Sequence, residues 1–200
     1  MKLFHHPTSP FVRKVMACAI AREIDRRIET VPTTPQDSPA ALLGANPLCK
    51  VPCLVTDDGV ALFDSPVICE FLDSLEGAVP LFPRPGRSRW KALKLQALAD
   101  GVMEAALLRR LESGRPPDEA RLAVIARQKA AIGRALDTLE REVPPRLLDI
   151  GSISVACALG YLDLRFAADG WRAGRPLLTA WFAAISQEPA LARTAPPAEG

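Results

Sequence analysis

Asparagine and tyrosine are the scarcest side chains in this sequence, one of each in 200 residues, and histidine follows with two. The five cysteines (Cys18, Cys49, Cys53, Cys69 and Cys157) show no paired CxxC spacing and have no histidine nearby, which excludes an ordinary zinc site. Their odd number and apolar neighbours argue against a disulfide framework and for the reduced thiols of a cytoplasm. An excess of one charge is also missing: 25 basic residues face 23 acidic ones. Without a basic stripe the chain is not a dedicated nucleic-acid binder. The first 86 residues hold eight basic and ten acidic side chains and the remainder seventeen and thirteen, an asymmetry too mild to indicate a partner. The opening "MKLFHHP" has no apolar leader, and no apolar run reads as long enough to cross a bilayer. The expectation is a globular cytoplasmic chain with no metal site and no nucleic-acid or membrane partner.

What is present falls into two halves. Lys2 to His6 read as a strand and Pro10 to Ile24 as a helix, with Val12, Val15, Met16, Ala19 and Ile20 at three-and-four spacing. Arg27 to Val31 alternate as a second strand. After a proline-rich loop, with a helical turn around Ala40 to Leu43, "VPCLVTDDGVALFDS" reads as a hairpin about Asp58-Gly59. A helix from Pro66 to about Leu75 completes a β-α-β, β-β-α unit. "EGAVPLFPRPG" then breaks all periodicity. Helical patterns follow at Arg87 to Ser113, Asp118 to Glu142, Asp149 to Ala168 and Pro176 to Ser186, the last ended by Pro189. Leu122, Ile125, Ile132, Leu136 and Leu139 form one stripe, and "ISVACALGYL" is apolar nearly all round, as a central bundle helix is. Trp90, Trp171 and Trp181 are expected in the core, Arg109 and Arg110 on a solvated face. The division is an α/β domain over 1–78, a linker over 79–86 and an all-helical domain over 87–200.

Two Ser-Pro pairs, Ser9-Pro10 and Ser65-Pro66, each precede an apolar helix. Serine at the N-cap with proline next is a preferred helix opening, so capping accounts for both serines. Helix starts also offer free amides and a positive dipole end to an anion. Pro52 stands where "NPLCKVPCLV" becomes a strand, a position that suits a residue unable to donate to the ladder. Only about 5–6% of X–Pro bonds are cis, so the residues by themselves favour trans.

"TSPFVRKV", "NPLCKVPCLV" and "DSPVICEFLD", in that order and followed by a helical half, resemble the glutathione S-transferase family. The likeness is nearest to small bacterial members carrying "SPFVRK". It implies an α/β thioredoxin-like N-terminal domain that binds glutathione, then an all-α domain that shapes the pocket for a small electrophile. It implies a cis Pro52, with the Val51 backbone pairing with the cysteinyl part of glutathione. Asp64 and Ser65 would hold the γ-glutamyl group and Lys50 the glycyl carboxylate, with Phe11 completing the binding set. Ser9 would be the catalytic residue, its hydroxyl donating to the glutathione thiolate, and Thr8 is the rival donor. The same resemblance implies a homodimer. Serine at position 9 removes the nucleophile that disulfide-exchanging members use, which leaves Cys49 or Cys53 for a redox alternative. A non-catalytic binding protein is the other alternative. In place of the family's Ser/Thr-x-x-Asp box, "DIGS" offers Asp149 as N-cap and Ser152 three residues on. His5 and His6 are read as surface or packing residues.

Overall fold

The computed structural model describes residues 1–196. Strand β1 (Lys2–His5) leads into helix α1 (Pro10–Ala21), and β2 (Glu29–Pro32) follows after a 3-10 turn at Asp25–Arg27. A short α2 (Ala40–Ala45) precedes the hairpin of β3 (Cys53–Val55) and β4 (Ala61–Leu62), and α3 (Ser65–Ser74) follows. The sheet order is β2-β1-β3-β4, with β1 parallel to β2 and antiparallel to β3, and β3 antiparallel to β4. At the hairpin, Gly59 has φ 84° and the Thr56 amide donates to Val60 O at 2.9 Å. A positive φ is open to glycine at little cost, which is why the Asp-Gly pair specifies this turn.

The helical half comprises α4 (Arg87–Ser113), α5 (Glu119–Arg141), α6 (Ile150–Phe166), α7 (Pro176–Ile185) and α8 (Pro189–Ala192). Together the halves form the expected arrangement: a thioredoxin-like α/β domain followed by an all-α one. Helix α6 lies at the centre, buried at every residue from Ile150 to Leu162. It opens with the anticipated modified box: Asp149 accepts from the Ser152 amide and Ser152 Oγ from the Asp149 amide, both at 2.8 Å. Gly151 brings α6 close to α4, since a Cβ there would sit 2.8 Å from Ala92 O. α1 packs against α3 on its own half and against α6 across the seam.

Several expectations need correction. The segment Ile150–Asp169, of mean hydropathy 1.3, is long and apolar enough to cross a membrane, contrary to the expectation that no run would be; 72% of its most apolar window is buried inside the protein. Trp90 is not a core residue but 69% exposed, whereas Trp171 and Trp181 are buried. Leu122 is 56% exposed, because the stripe on α5 begins before other helices cover it. Pro189 starts α8 rather than merely ending α7. Arg109 is not solvated: it is largely buried, stacks 4.0 Å from the Phe166 ring centroid and pairs with Asp169.

Candidate functional site

The strand directions bring the separated motifs to one end of the sheet. β1 delivers α1 at its C-terminal end. β3 runs the opposite way, so Val51 and Pro52 lie at that end, with Cys53 opposite Phe4. β4 reverses again and delivers α3 there. Ser9, Val51 and Ser65 therefore converge through topology, although some forty and fourteen residues of chain separate them.

Ser9 is the N-cap of α1, with Pro10 next, and its Oγ accepts from the Val12 amide at 3.3 Å. That bond uses a lone pair and leaves the hydroxyl proton free to donate elsewhere. Thr8 differs. Its amide approaches His6 Nδ1 at 3.4 Å, so that nitrogen is an acceptor, and its hydroxyl lies 3.2 Å from the same nitrogen. The Thr8 hydroxyl is thus within hydrogen-bond reach of His6. His5, half-buried, has a pKa held below the ordinary histidine value by burial and then by the neighbouring His6.

The other expected residues occupy distinct positions. The Val51–Pro52 bond is cis, as the resemblance implies. Asn46, buried, fixes the preceding loop by donating to Lys50 O at 2.9 Å and accepting from the Leu48 amide at 3.0 Å. Val51 itself has neither backbone group paired among the described residues. Lys50 is exposed, and Pro52 is buried. Ser65 is not the cap that its Ser-Pro pair suggested: Asp64 is the N-cap of α3, and Ser65 is its first residue, 1% exposed. Asp64 is exposed, and its side chain makes no capping bond.

Phe11 lies beside Lys14, to which the sequence motifs gave no role. The Lys14 ammonium is 6.0 Å from the Phe11 ring centroid and pairs with Asp100 of α4 at 2.6 Å. Lys14 is wholly buried. Burial raises the Asp100 pKa, Lys14 opposes that rise, and the Asp64 carboxylate adds to it, so the two acids are electrostatic neighbours. The signal was the "RK" of "SPFVRK": two cations on the inner faces of a helix, where a packed partner has to supply the compensation.

The five cysteines are all free thiols. Burial raises the Cys53 pKa. Cys49 has left-handed backbone, φ 50°, and its thiol donates to Pro35 O at 3.4 Å. Cys18 and Cys157 are fully buried thiols, Cys18 raised by its bond with the Cys69 thiol and then by burial, Cys157 pushed up to about 11 by burial. Among the described residues no cluster of His, Cys, Asp or Glu could hold a metal ion.

On the helical side, a crevice at the start of α1 is lined by Thr8, Ser9, Arg13, Tyr161, Thr194 and Pro196, among others. It places the Ser9 end of α1 against α6 and the segment after α8.

Comparison with known proteins gives this arrangement its class. Residues 8–75 match the glutathione S-transferase N-terminal domain and residues 123–184 the glutathione S-transferase C-terminal domain. An uncharacterised GST-like protein of Escherichia coli (strain K12), YibF, is 36% identical over 202 residues, covering 98% of this chain and 99% of that one. A glutathione transferase family member from Pseudomonas fluorescens Pf-5, crystallised with bound glutathione, superposes with a TM-score of 0.91 at 43% identity over 98% of each chain. A second structure from that organism, with bound S-(propanoic acid)-glutathione, gives 0.86 at 41% identity over 98% of this chain and 100% of that one. A glutathione S-transferase from Methylobacillus flagellatus KT with glutathione bound gives 0.89 at 33%, over 98% and 99%. The chain belongs to the glutathione S-transferase family.

Proposed function

We propose that the protein is a glutathione transferase that holds glutathione at the end of the sheet, keeps its sulfur as thiolate and joins it to a small electrophile. The observation that carries this reading is the uncommitted hydroxyl proton of Ser9 at the start of α1. A free thiol of pKa about 8.5 is only about 3% thiolate at pH 7. A hydroxyl donor beside a helix N-terminus favours the anion, and each unit of lowering needs only about 1.4 kcal/mol. Ser9 keeps its own proton throughout, while the thiol proton leaves to solvent. The thiolate then attacks the electrophilic carbon and expels its leaving group. Preorganised donation to the sulfur and approximation of the reactants share the work.

Within this proposal Val51 pairs through its free backbone groups with the cysteinyl part of glutathione. Asp64 and Ser65 take the γ-glutamyl group, Lys50 the glycyl carboxylate, and Phe11 borders the sulfur. Residues 1–78 bind glutathione, 79–86 link the halves, and 87–200 shape the electrophile pocket. The glutathione held by the two relatives supports glutathione as the co-substrate. The thioether in the second Pseudomonas fluorescens structure supports conjugation at carbon. Exposed Leu48, Val67 and Trp90 supply apolar surface for a homodimer. All five thiols are unpaired, which suits the cytoplasm.

The test uses 1-chloro-2,4-dinitrobenzene as electrophile and follows near-ultraviolet absorbance of bound glutathione against pH. The expected outcome is chloride-displacing conjugation and a thiol pKa below its free value, both lost in Ser9→Ala while glutathione still binds. A bound thiol that titrates as in free solution removes the mechanism. Peroxide- or disulfide-directed activity that disappears in Cys49→Ser or Cys53→Ser transfers the assignment to the redox alternative.

A further inference from the structure

We propose that Arg13 is a positioning residue of the transferase reaction: a buried cation with no acid of its own, for which the glutathione sulfur becomes the counter-ion. The inference rests on the thiolate chemistry proposed above and adds to Ser9 a second source of it. Arg13 lies four residues beyond Ser9, and its amide donates to Ser9 O at 3.0 Å. Residues at that spacing share one face of a helix, about 6 Å apart along its axis. Both line the crevice at the start of α1. At about 20 Å3 the crevice admits little more than one water molecule, so bulk solvent does not screen the cation from that end.

Arg13 is 9% exposed. Its Nη1 donates to Ala156 O at 3.4 Å and its Nη2 to Leu191 O at 3.3 Å, both long. Nε has no partner, and no carboxylate pairs with the group among the described residues. A guanidinium has five N–H donors and a permanent charge, so two long bonds to carbonyls leave it under-satisfied. The fold nevertheless makes room for it. Gly160 sits mid-helix in α6, a poor place for glycine, and a Cβ there would overlap Arg13 Nη1. Burying a lone charge is costly, and an anion formed nearby offsets that cost.

Among the described residues, the other charges around Arg13 are matched. Lys14 pairs with Asp100 of α4 at 2.6 Å. On α6, Asp163 receives Arg172 at 2.5 and 2.8 Å and the Trp171 indole at 2.7 Å. Beyond α8, Arg193 pairs with Asp25 at 2.7 Å. In the loop before α1, His6 Nδ1 accepts from the Thr8 amide, and burial and then His6 hold the His5 pKa low. Asp64 of α3 is assigned to the γ-glutamyl ammonium. Cys157 of α6 shares the crevice with Tyr161. Burial pushes this thiol up to about 11, with Arg13 and then Lys14 opposing the rise. The Arg13 field therefore reaches one sulfur at this end of the helix already.

When glutathione binds, its thiol proton passes to solvent, Arg13 keeps its own, and the two opposite charges attract across the start of α1. A unit charge roughly 10 Å away, at an effective dielectric constant of about 20, lowers a thiol by about one pH unit. The test is the pH profile of 1-chloro-2,4-dinitrobenzene conjugation, read beside the near-ultraviolet titration of bound glutathione. Arg13→Gln should raise the bound thiol pKa by about one unit. Its rate should fall about tenfold at low pH and rejoin the wild type once pH passes the free thiol value of about 8.5. Arg13→Lys keeps the charge and should follow the wild-type profile. Ala195→Glu, at an exposed position on the far side of Arg13, supplies the guanidinium with a carboxylate and should raise the thiol pKa likewise. It serves if Arg13→Gln does not fold. A rate lowered equally at every pH in Arg13→Gln, or a thiol pKa unmoved in both Arg13→Gln and Ala195→Glu, overturns the inference and leaves the transferase reading standing. A wild-type thiol that titrates as free glutathione overturns both.

Discussion

Ser9 does two things at once, and the two can be separated by substitution. Removing its oxygen in Ser9→Ala deletes a cap, costing about 1 kcal/mol of stability. On the proposed mechanism it also deletes the donor to the sulfur, lowering conjugation by roughly 100- to 1,000-fold, the usual effect of losing one preorganised donor. Thr8→Val, whose lost hydroxyl faces His6, should leave conjugation within a few-fold of wild type. Steady-state rates and thermal unfolding of the three proteins check both statements. Asp169 gives a different prediction. Hydrogen bonds from Arg109, then that cation's charge, with Lys129 adding to both, hold its carboxyl below the ordinary aspartate pKa. A folded-state value below the unfolded one means stabilisation that is complete above about pH 3.9 and lost as pH falls through the folded value. The Tm difference between wild type and Asp169→Asn should therefore close on acidification, and a constant difference would refute the assignment.

Helix α6 shows what local chemistry specifies. Asp149→Ala removes one half of a reciprocal box and should cost about 1 kcal/mol. Gly151→Ala adds a methyl where α4 backbone already stands, and overpacking of that kind costs about 1–3 kcal/mol. Urea unfolding measures both, and a neutral Gly151→Ala would mean the helices separate freely. The box is legible in "DIGS" because both partners lie within one turn, and the bounds of α4 are legible because "RPG" and "SGRPP" flank an unbroken helical pattern. Ser65 departs from its expected capping role for a related reason: Asp64 and Ser65 are both good caps, and only the approach of the chain from β4 decides between them. Leu122 departs because periodicity reports which face is apolar and says nothing of what covers it. The cis state of Pro52 is not legible in the residues at all; the resemblance supplies it.

The two halves are held together by charges that composition describes as surface. Lys14 of α1 reaches Asp100 of α4. Arg22, at the end of α1, donates to Leu75 O at 2.7 Å and pairs with Asp73 at 3.3 Å, while Asp73 accepts from the Leu81 and Phe82 amides at 2.7 and 3.1 Å. The linker is thus tied down at Leu81 and Phe82. These residues escape a reading of the sequence because a buried cation and a solvated one have the same letter, and the acid that identifies it lies 86 positions away. Lys14→Met strands the Asp100 carboxylate and should cost about 3–5 kcal/mol, as removing one member of a buried pair does. Adding Asp100→Leu should recover much of that loss, and a double mutant no better than Lys14→Met would show that the pair is not the coupling. The same cross-ties govern inheritance by shuffling. A chimera that takes its first half from this chain and its second from a relative lacking an acid opposite Lys14 would receive a lone ammonium in its interior. Successful recombinants should therefore carry the lysine and its acid as a matched set.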